Sequence, residues 1–258
     1  MIPVVVINLP RSADRRDYVA GHLGHLGIPY RLFAAVDGRT LSDAQRARYG
    51  SSLPAGAMGC AESHLALLRE IADGADAFVC ILEDDVELEP AVVDLLDAGF
   101  LGSLPAFDVV RLESGADDRA AASIPIAHRD GFEVHIAWRH HLATTAQIFS
   151  RAGARKIVAG LTTLPVAIDV ALFLEHYVLG LRVLETRPSL ARPRVGMMSE
   201  IGPGQLPPYT WWETFHKRKL RSREWRRTLS FAMAWGVPAL VRLRRSERLK
   251  PAWRREAP

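Results

Sequence analysis

The sequence has 258 residues, of which 48% are hydrophobic and 24% are charged. This composition is that of an ordinary globular protein, and it excludes a largely disordered chain. The net charge of +4 hides an asymmetry, because residues 216–258 carry 14 Lys/Arg against three Glu, whereas residues 1–215 are acidic overall. We therefore predict an acidic body, residues 1–215, joined to a basic tail, residues 216–258, that is suited to polyanionic surfaces.

The sequence shows no membrane-spanning segment and contains only two cysteines. No window contains the roughly 18 consecutive apolar residues that a transmembrane helix needs. The opening MIPVVVINLP has no basic segment before its apolar run, and no small-residue cleavage site follows, so we expect no signal peptide. Cys60 and Cys80 are too few for a disulfide scaffold, lack metal-site spacing and are assigned no role. A cytoplasmic protein is the resulting expectation.

The first half of the chain alternates between two patterns. Apolar runs predict strands at residues 2–9, 30–36, 77–82 and 107–112, and the first of them lacks polar alternation, as a strand buried on both faces does. Helical spacing of apolar residues predicts helices between them, at residues 12–26, 56–71 and 92–100. Ser12 or Asp14 would cap the first of these helices. Such alternation predicts right-handed βαβ units and an α/β fold, with a mostly parallel sheet flanked by helices on both faces.

The second half is less regular. Residues 129–138 and 144–150 have the composition of strands, and residues 151–161 that of a helix. Beyond Pro188 the chain is rich in Pro and Gly and predicts irregular structure.

Polar residues follow several of the predicted strands. In an open α/β sheet, the loops at the carboxyl ends of the strands build the ligand crevice. The triplet Glu83-Asp84-Asp85 lies at such an end, and carboxylate oxygens are the ligands that Mg²⁺ and Mn²⁺ prefer. At extended spacing, Glu83 and Asp85 point the same way and Asp84 points the opposite way. The alternative is that these acidic residues only cap the next helix.

Arginines after the first strand offer a partner for phosphate. Arg11, Arg15 and Arg16 stand at the start of the first predicted helix, and the planar guanidinium group binds two phosphate oxygens at once. The alternative is a solvated helix face.

Four motifs occur in a distinctive order, namely INLPRSADRR, FAAVDG, GAMGCAESH and ILEDDVEL. In sequence and spacing they resemble glycosyltransferase family 25, which includes bacterial lipooligosaccharide galactosyltransferases and collagen galactosyltransferases. The resemblance is good over residues 2–90 and continues more weakly to residue 201. Pro10, in place of an acidic residue, and Gln147, near a tyrosine position, depart from the family pattern.

The resemblance implies a GT-A-like fold and inverting transfer of a sugar from a nucleotide donor. It implies UDP-galactose as the donor and a saccharide or glycolipid of the cell envelope, such as lipopolysaccharide or lipooligosaccharide, as the acceptor. Glu83 and Asp85 would hold Mn²⁺ or Mg²⁺. The positions that match the family's donor-binding motifs are Asn8, Arg11, Arg15, Asp37, Gly38, Gly59, Ser63, His64 and Asp84.

An inverting transfer also needs a general base for the acceptor hydroxyl. Asp169 matches a downstream acidic position of the family, and Glu113, at the end of a predicted strand, is its rival. The alternative for Asp169 is a helix N-cap, and the alternative for His64 is a surface hydrogen bond. The remaining candidate metal ligands are expected to be surface or core residues; they are His140, His141 and His176.

The basic tail contains a mixed apolar and basic segment, residues 228–243. This segment either lies on an anionic membrane surface, at the inner face of the cytoplasmic membrane, or packs on the body as an amphipathic helix. Nucleic-acid binding is not expected, because no DNA- or RNA-binding motif accompanies the charge. Two other functions use the same elements: a Mg²⁺-dependent phosphohydrolase or nucleotidyltransferase, and a non-catalytic nucleotide-sugar-binding protein.

Overall fold

The computed structural model describes residues 1–51, 53–114, 122–138, 142–174, 176–194 and 226–248. The strands are β1 (Val4–Asn8), β2 (Arg31–Ala34), β3 (Phe78–Glu83), β4 (Val86–Leu88), β5 (Val109–Arg111), β6 (Ser123–Arg129), β7 (Phe132–Ala137), β8 (Ala146–Ser150), β9 (Val183–Arg187) and β10 (Ala191–Pro193). The helices are α1 (Ala13–His25), α2 (Asp43–Arg46), α3 (Ala55–Asp73), α4 (Val92–Leu95), α5 (Ala98–Ser103), α6 (Arg151–Gly160), α7 (His176–Leu179), α8 (226–235) and α9 (Val237–Arg248). A 3₁₀ turn covers Gly38–Thr40, and a π-helical turn covers Val170–Leu174.

Eight strands of the described residues form one sheet in the order β2-β1-β3-β8-β5-β9-β7-β6. β1 pairs in parallel with β2 and β3, and β5 pairs in parallel with β9. β8 runs antiparallel between β3 and β5, and β7 runs antiparallel between β9 and β6. Six of these strands therefore point in one direction and two in the other. This arrangement confirms the predicted α/β, GT-A-like fold with a mostly parallel sheet, and it adds an antiparallel insertion that was not predicted.

The sheet has an apolar core on each face, and β1 shows why. All five residues of its VVVIN sequence are buried. Val4 and Val6 pack in one core cluster, whereas Val5 and Ile7 pack in the other. Because successive side chains of a strand point to opposite faces, a strand covered on both sides needs an apolar residue at nearly every position. The unbroken apolar run therefore predicted this strand correctly.

Three local predictions need correction. The helix predicted at residues 92–100 is two helices, α4 and α5, because the side chain of Asp97 accepts a hydrogen bond from the backbone N–H of Phe100 at 2.6 Å and caps a new helix there. β6 was not predicted; it pairs with β7 across the turn at Gly131, whose φ of 88° suits glycine. β9 and β10 lie where no strand was predicted.

The described part of the tail packs on the body. The rings of Phe231 in α8 and Trp138 after β7 lie 5.5 Å apart, and the guanidinium of Arg244 in α9 lies 4.8 Å from the centre of the Trp138 ring. Leu243 is fully buried in the same core cluster. Of the two arrangements considered for this segment, packing on the body is the one observed. The predicted boundary between residues 215 and 216 lies outside the described residues, and no described helix is long and apolar enough to cross a membrane.

Candidate active site

The carboxyl ends of β1, β2 and β3 meet at one edge of the sheet, because the three strands are parallel neighbours. The N-terminal part of α3 faces the same edge. The cleft that forms there is lined by most of the residues expected to bind donor or metal, namely Arg11, Arg15, Asp37, Gly38, Ser63, His64, Glu83, Asp84 and Asp85. Asn8 lies at the end of β1, beside Asp84. Segments that are far apart in the sequence therefore meet here, as their positions after the strands predicted.

Arg15 joins two of the three carboxylates. Its Nη2 atom lies 2.8 Å from Asp84 Oδ1 and also contacts Asp85 Oδ2. Asn8 Nδ2 donates a hydrogen bond to Asp84 Oδ2 at 2.7 Å. Asp84 and Asp85 thus share the guanidinium group of Arg15. The extended geometry expected from the sequence would have put the two side chains on opposite sides of the strand. The expectation fails because residues 84 and 85 form the tight turn between β3 and β4 rather than extending the strand.

The surroundings of Asp84 and Asp85 disfavour the ionised form of both carboxyl groups. Burial, opposed in part by Arg15, raises the pKa of Asp84. Burial and the charge of Glu83 raise the pKa of Asp85 to about 6. Asp85 Oδ1 and Arg15 Nε are buried and have no hydrogen-bond partner among the described residues. Arg15 and Asp85 both line the cleft, and together they offer an oxygen suited to a hard cation and an N–H suited to an anion.

Glu83 faces a different set of side chains. Its Oε1 atom accepts a hydrogen bond from the Thr144 hydroxyl at 2.7 Å and lies 3.7 Å from His64 Nε2, which is longer than a hydrogen bond. Burial opposes ionisation of Glu83, but the nearby His64 ring, the Thr144 hydroxyl and Arg15 together hold its pKa below the ordinary value. His64 is buried, so it does not make the surface hydrogen bond considered as its alternative.

Arg11 and Asp37 form the outer wall of the cleft. Arg11 Nη1 lies 2.6 Å from Asp37 Oδ2, and Arg39 binds the same carboxylate at 2.6 Å. The hydrogen bonds from Arg39, more than the charge of Arg11, hold the pKa of Asp37 far below its usual range. Arg16 lies outside this group, with its guanidinium directed to the carbonyl of Pro10 at 3.4 Å.

Two glycines allow α3 to approach the loop that carries Asp37. A Cβ atom at Gly59 would lie 2.5 Å from the carbonyl oxygen of Val36, and one at Gly38 would lie 1.6 Å from that of Ala55. Ser63 fixes the same contact, since its hydroxyl accepts a hydrogen bond from Val36 N at 2.8 Å and donates one to the Gly59 carbonyl at 2.7 Å. Gly38, Gly59 and Ser63 therefore shape the cleft through backbone packing.

The two candidate bases lie beyond the lining of this cleft. Glu113 is buried, and its Oε1 atom accepts hydrogen bonds from the backbone N–H of Ala146 at 3.1 Å and from the side chain of Gln147 at 3.3 Å. Asp169 is partly buried, and its Oδ1 atom accepts a hydrogen bond from Val170 N at 2.8 Å, a contact that also fits a helix-start role. Burial raises the pKa of both carboxyl groups.

Arg111 is a further buried charged residue near the site, and it was not predicted from the sequence. It is fully buried in β5, its guanidinium lies 4.2 Å from the centre of the Phe173 ring, and its charge opposes the rise in pKa of Glu113 and Asp169. An arginine inside the apolar run FDVVRL was the signal that could have revealed it, since arginine is rarely buried without a partner. Of the remaining histidines, His176 Nδ1 lies 2.9 Å from the Phe173 carbonyl oxygen, and His140 and His141 lie outside the described residues.

Fold and site together define an α/β protein of GT-A-like fold with an acidic cleft, flanked by arginines, at the carboxyl edge of its sheet. A family model described as glycosyltransferase family 25 (LPS biosynthesis protein) matches residues 1–172, more than half of the chain. The chain belongs to glycosyltransferase family 25, which confirms the resemblance seen in its motifs.

Individual relatives are more distant. The chain is 28% identical over 176 residues to the probable inactive glycosyltransferase 25 family member 3 of Bos taurus, a match that covers 60% of this chain and 28% of that protein. It is 33% identical over 99 residues to procollagen galactosyltransferase 1-A of Xenopus laevis, covering 33% of this chain and 16% of that protein. Procollagen galactosyltransferase 2 of Homo sapiens is 32% identical over 99 residues, with 33% and 16% covered. The chain thus spans less than a third of the length of each of these relatives.

Proposed function

We propose that this chain is a metal-dependent, inverting glycosyltransferase that moves galactose from UDP-galactose to a saccharide of the cell envelope, such as lipopolysaccharide or lipooligosaccharide. The observation that carries the proposal is the carboxylate cluster Glu83-Asp84-Asp85 facing Arg15 in the cleft. Such a cluster combines the oxygen ligands of a hard cation with a guanidinium suited to the diphosphate of a nucleotide sugar.

The fit of a cation is supported by the unpartnered, buried Asp85 Oδ1 atom. Asp85 would be the principal ligand of Mn²⁺ or Mg²⁺, with Glu83 as a second ligand, and Asp84 would orient the ribose or support the metal. When bound, the ion would neutralise the negative charge that develops on the β-phosphate as the bond between the sugar and the diphosphate breaks. Arg15, with its unpartnered Nε atom, would bind phosphate oxygens.

The wall of the cleft would hold the remainder of the donor. Arg11, which lines the cleft, would reach the diphosphate, and Asp37 and Gly38 would lie along the nucleoside. His64 would contact donor or acceptor. We assign these roles from the family motifs and from the common lining of the cleft.

We propose Asp169 as the general base that removes the proton from the acceptor hydroxyl. Its partial burial raises its pKa, which moves it toward the operating range of a base. The charge of Glu83 raises this pKa further, and the charge of Arg111 opposes the rise. Glu113 is the poorer candidate, because its Oε1 atom already accepts two hydrogen bonds that hold β8.

The names of two relatives support the proposed donor sugar, and the description of the family supports the proposed acceptor. Two of the relatives are named procollagen galactosyltransferases, which favours galactose, and the family description names lipopolysaccharide biosynthesis, which favours an envelope acceptor. Residues 1–215 would form the catalytic domain, and residues 216–258 the tail.

Although its described part packs on the body, the tail keeps exposed apolar side chains, and through these it would hold the protein at an anionic membrane surface on the cytoplasmic side. A groove of about 820 Å³ between α8 and the body is lined by exposed apolar side chains, among them Val178, Leu229 and Met233, and by the basic Arg182 and Arg226. Apolar side chains beside arginines suit a surface that has acyl chains beneath phosphate headgroups. A glycolipid acceptor would be presented at such a surface.

One experiment tests the proposed reaction. The purified chain is incubated with a panel of UDP-sugars and Mn²⁺, with and without chelator, and release of UDP and sugar transfer are measured. We expect turnover of UDP-galactose that requires the cation and falls at least about a hundredfold in Asp85→Asn, since the stabilisation of developing charge is lost. Turnover that is unaffected by chelator would refute the metal assignment.

The same experiment separates the alternatives. Release of inorganic phosphate in place of UDP would indicate the phosphohydrolase alternative. Binding of UDP-sugars without turnover, for any acceptor offered, would indicate a non-catalytic nucleotide-sugar-binding protein. No binding of any UDP-sugar would overturn the proposed function.

A further inference from the structure

The floor of the cleft contains a second group of metal-ligating side chains, of different chemistry from the Asp84–Asp85 pair. Cys60 and His64 lie one helical turn apart on the same face of α3, and Glu83 meets them from the end of β3. The Cys60 thiol, a ring nitrogen of His64 and a carboxylate oxygen of Glu83 all lie within 4.8 Å of one another.

His64 gives this group its significance. Its side chain is 1% exposed, and neither ring nitrogen has a hydrogen-bond partner among the described residues. A buried polar group that has lost its hydrogen bonds to water and gained none in the protein destabilises the fold. His64 Nε2 lies 3.7 Å from Glu83 Oε1, too far for a hydrogen bond. Ligand atoms around a tetrahedral ion, at about 2.0–2.3 Å from it, are themselves about 3.3–3.8 Å apart. The two atoms therefore already have the spacing of neighbouring ligands.

The donor set selects the kind of ion. Thiolate and imidazole ligands favour Zn²⁺ and similar borderline ions, whereas carboxylate and water favour Mg²⁺ and Mn²⁺. Three protein ligands with an open fourth position are typical of a zinc site that is accessible to exogenous ligands. Cys60, His64 and Glu83 all line the cleft, so an ion has a route to them from solvent.

We propose that Cys60, His64 and Glu83 form a binding site for a soft or borderline divalent cation of the Zn²⁺ class. Binding replaces the S–H bond of Cys60 by a sulfur–metal bond, and the proton goes to solvent. One thiolate and one carboxylate then balance the charge of the ion, which suits a buried site. This site does not depend on the proposed transfer reaction, although Glu83 takes part in both.

Cobalt tests the site, because a Co²⁺–thiolate bond gives a charge-transfer band in the near ultraviolet. The full chain is reduced, freed of metal with chelator, and titrated with Co²⁺ and then with Zn²⁺. We expect one equivalent of Co²⁺ to produce the band and Zn²⁺ to abolish it. Absence of the band at stoichiometric Co²⁺ would overturn the proposal.

Matched variants assign the ligand. Cys60→Ser should abolish the band and weaken Zn²⁺ binding at least about tenfold, a loss of about 1.4 kcal/mol. Cys80→Ala is the control, because Cys80 is the other free cysteine and lies fully buried within β3; this variant should keep the band. A band that persists in Cys60→Ser, or that is lost in Cys80→Ala while circular dichroism shows a folded protein, would refute the assignment.

Asp85→Asn separates this site from the proposed reaction. We expect this variant to lose UDP-galactose turnover and to retain the Co²⁺ band. Loss of the band in Asp85→Asn, with the protein still folded, would show that the thiolate-bound ion depends on Asp85 as well as on the three proposed ligands, and it would overturn the proposal. Turnover can fail in the wild-type chain while the band persists, so the two proposals fail independently.

Discussion

Arg15 carries the positive charge that holds two neighbouring carboxylates together, so its removal is a direct test of the cation site. The side chains of Arg15, Asp84 and Asp85 are only 14%, 9% and 16% exposed. Removal of one partner from a buried ion pair costs about 3–5 kcal/mol. Because the group borders a cleft, we expect Arg15→Met to lower the free energy of unfolding by about 3 kcal/mol, the lower end of that range. Urea unfolding in the presence of chelator measures it.

Mn²⁺ should restore much of this loss. A ligand at 100 times its Kd adds about 2.7 kcal/mol of stability, and the cation would occupy the position that the guanidinium leaves. The stability gained with Mn²⁺ should therefore be larger in Arg15→Met than in the wild-type chain, where Arg15 competes. Arg31→Met is the control, since the Arg31–Glu70 pair is about half exposed and such pairs contribute about 0–1 kcal/mol. Equal responses of Arg15→Met and wild type to Mn²⁺ would show that Arg15 does not compete with the ion, and no response in either protein would refute a cation site at these carboxylates.

Three further predictions test other parts of the structure. Asp169→Asn should lower sugar transfer about 10²–10⁴-fold, as loss of a general base does, with unchanged affinity for UDP-galactose in calorimetry; a larger loss in Glu113→Gln would reverse the assignment. Gly59→Ala should lower the free energy of unfolding in urea by about 1–3 kcal/mol through overpacking. Gly21→Ala, in open space on α1, should raise it by about 0.5–1 kcal/mol, and an equal effect of both would contradict the close approach. Met233→Glu should reduce co-sedimentation with anionic vesicles and leave that with neutral vesicles unchanged; no reduction would count against the membrane surface.

The fold was predictable where local pattern and burial agree. β1 and β3 are buried on both faces, so their apolar runs identify them without knowledge of their neighbours. β9 was missed because its sequence, VLETR, contains charged residues, yet Glu185 is buried and paired with Arg187 at 2.6 Å. The position of β8 was also beyond prediction, since its antiparallel insertion between β3 and β5 depends on contacts between distant segments.

The sequence predicted which residues lie together in the candidate site, but it did not predict how their side chains pair. Placement after parallel strands was enough to bring Arg15 and the carboxylate triplet to one edge. The turn at residues 84 and 85 was not foreseen, and it decides that Asp84 and Asp85 share Arg15 while Glu83 faces His64. The Cys60–His64 pair carried a sequence signal, its spacing of four residues within a helix, but its importance depends on a burial that sequence does not reveal.

Family membership alone does not decide whether this chain turns over a substrate, since a relative in Bos taurus is named as probably inactive. The cleft itself bears on the question. Asp85 Oδ1, Arg15 Nε and both nitrogens of His64 are buried without partners among the described residues, and each such group lowers stability by about 1–3 kcal/mol. Apolar side chains of similar size would remove these costs without loss of packing. A cleft that retains several unsatisfied groups, on residues that all line it, is best explained by ligands that complete their bonding when they bind. Ligand binding, and with it the Mn²⁺ response of Arg15→Met, is therefore the property that this arrangement of residues most directly predicts.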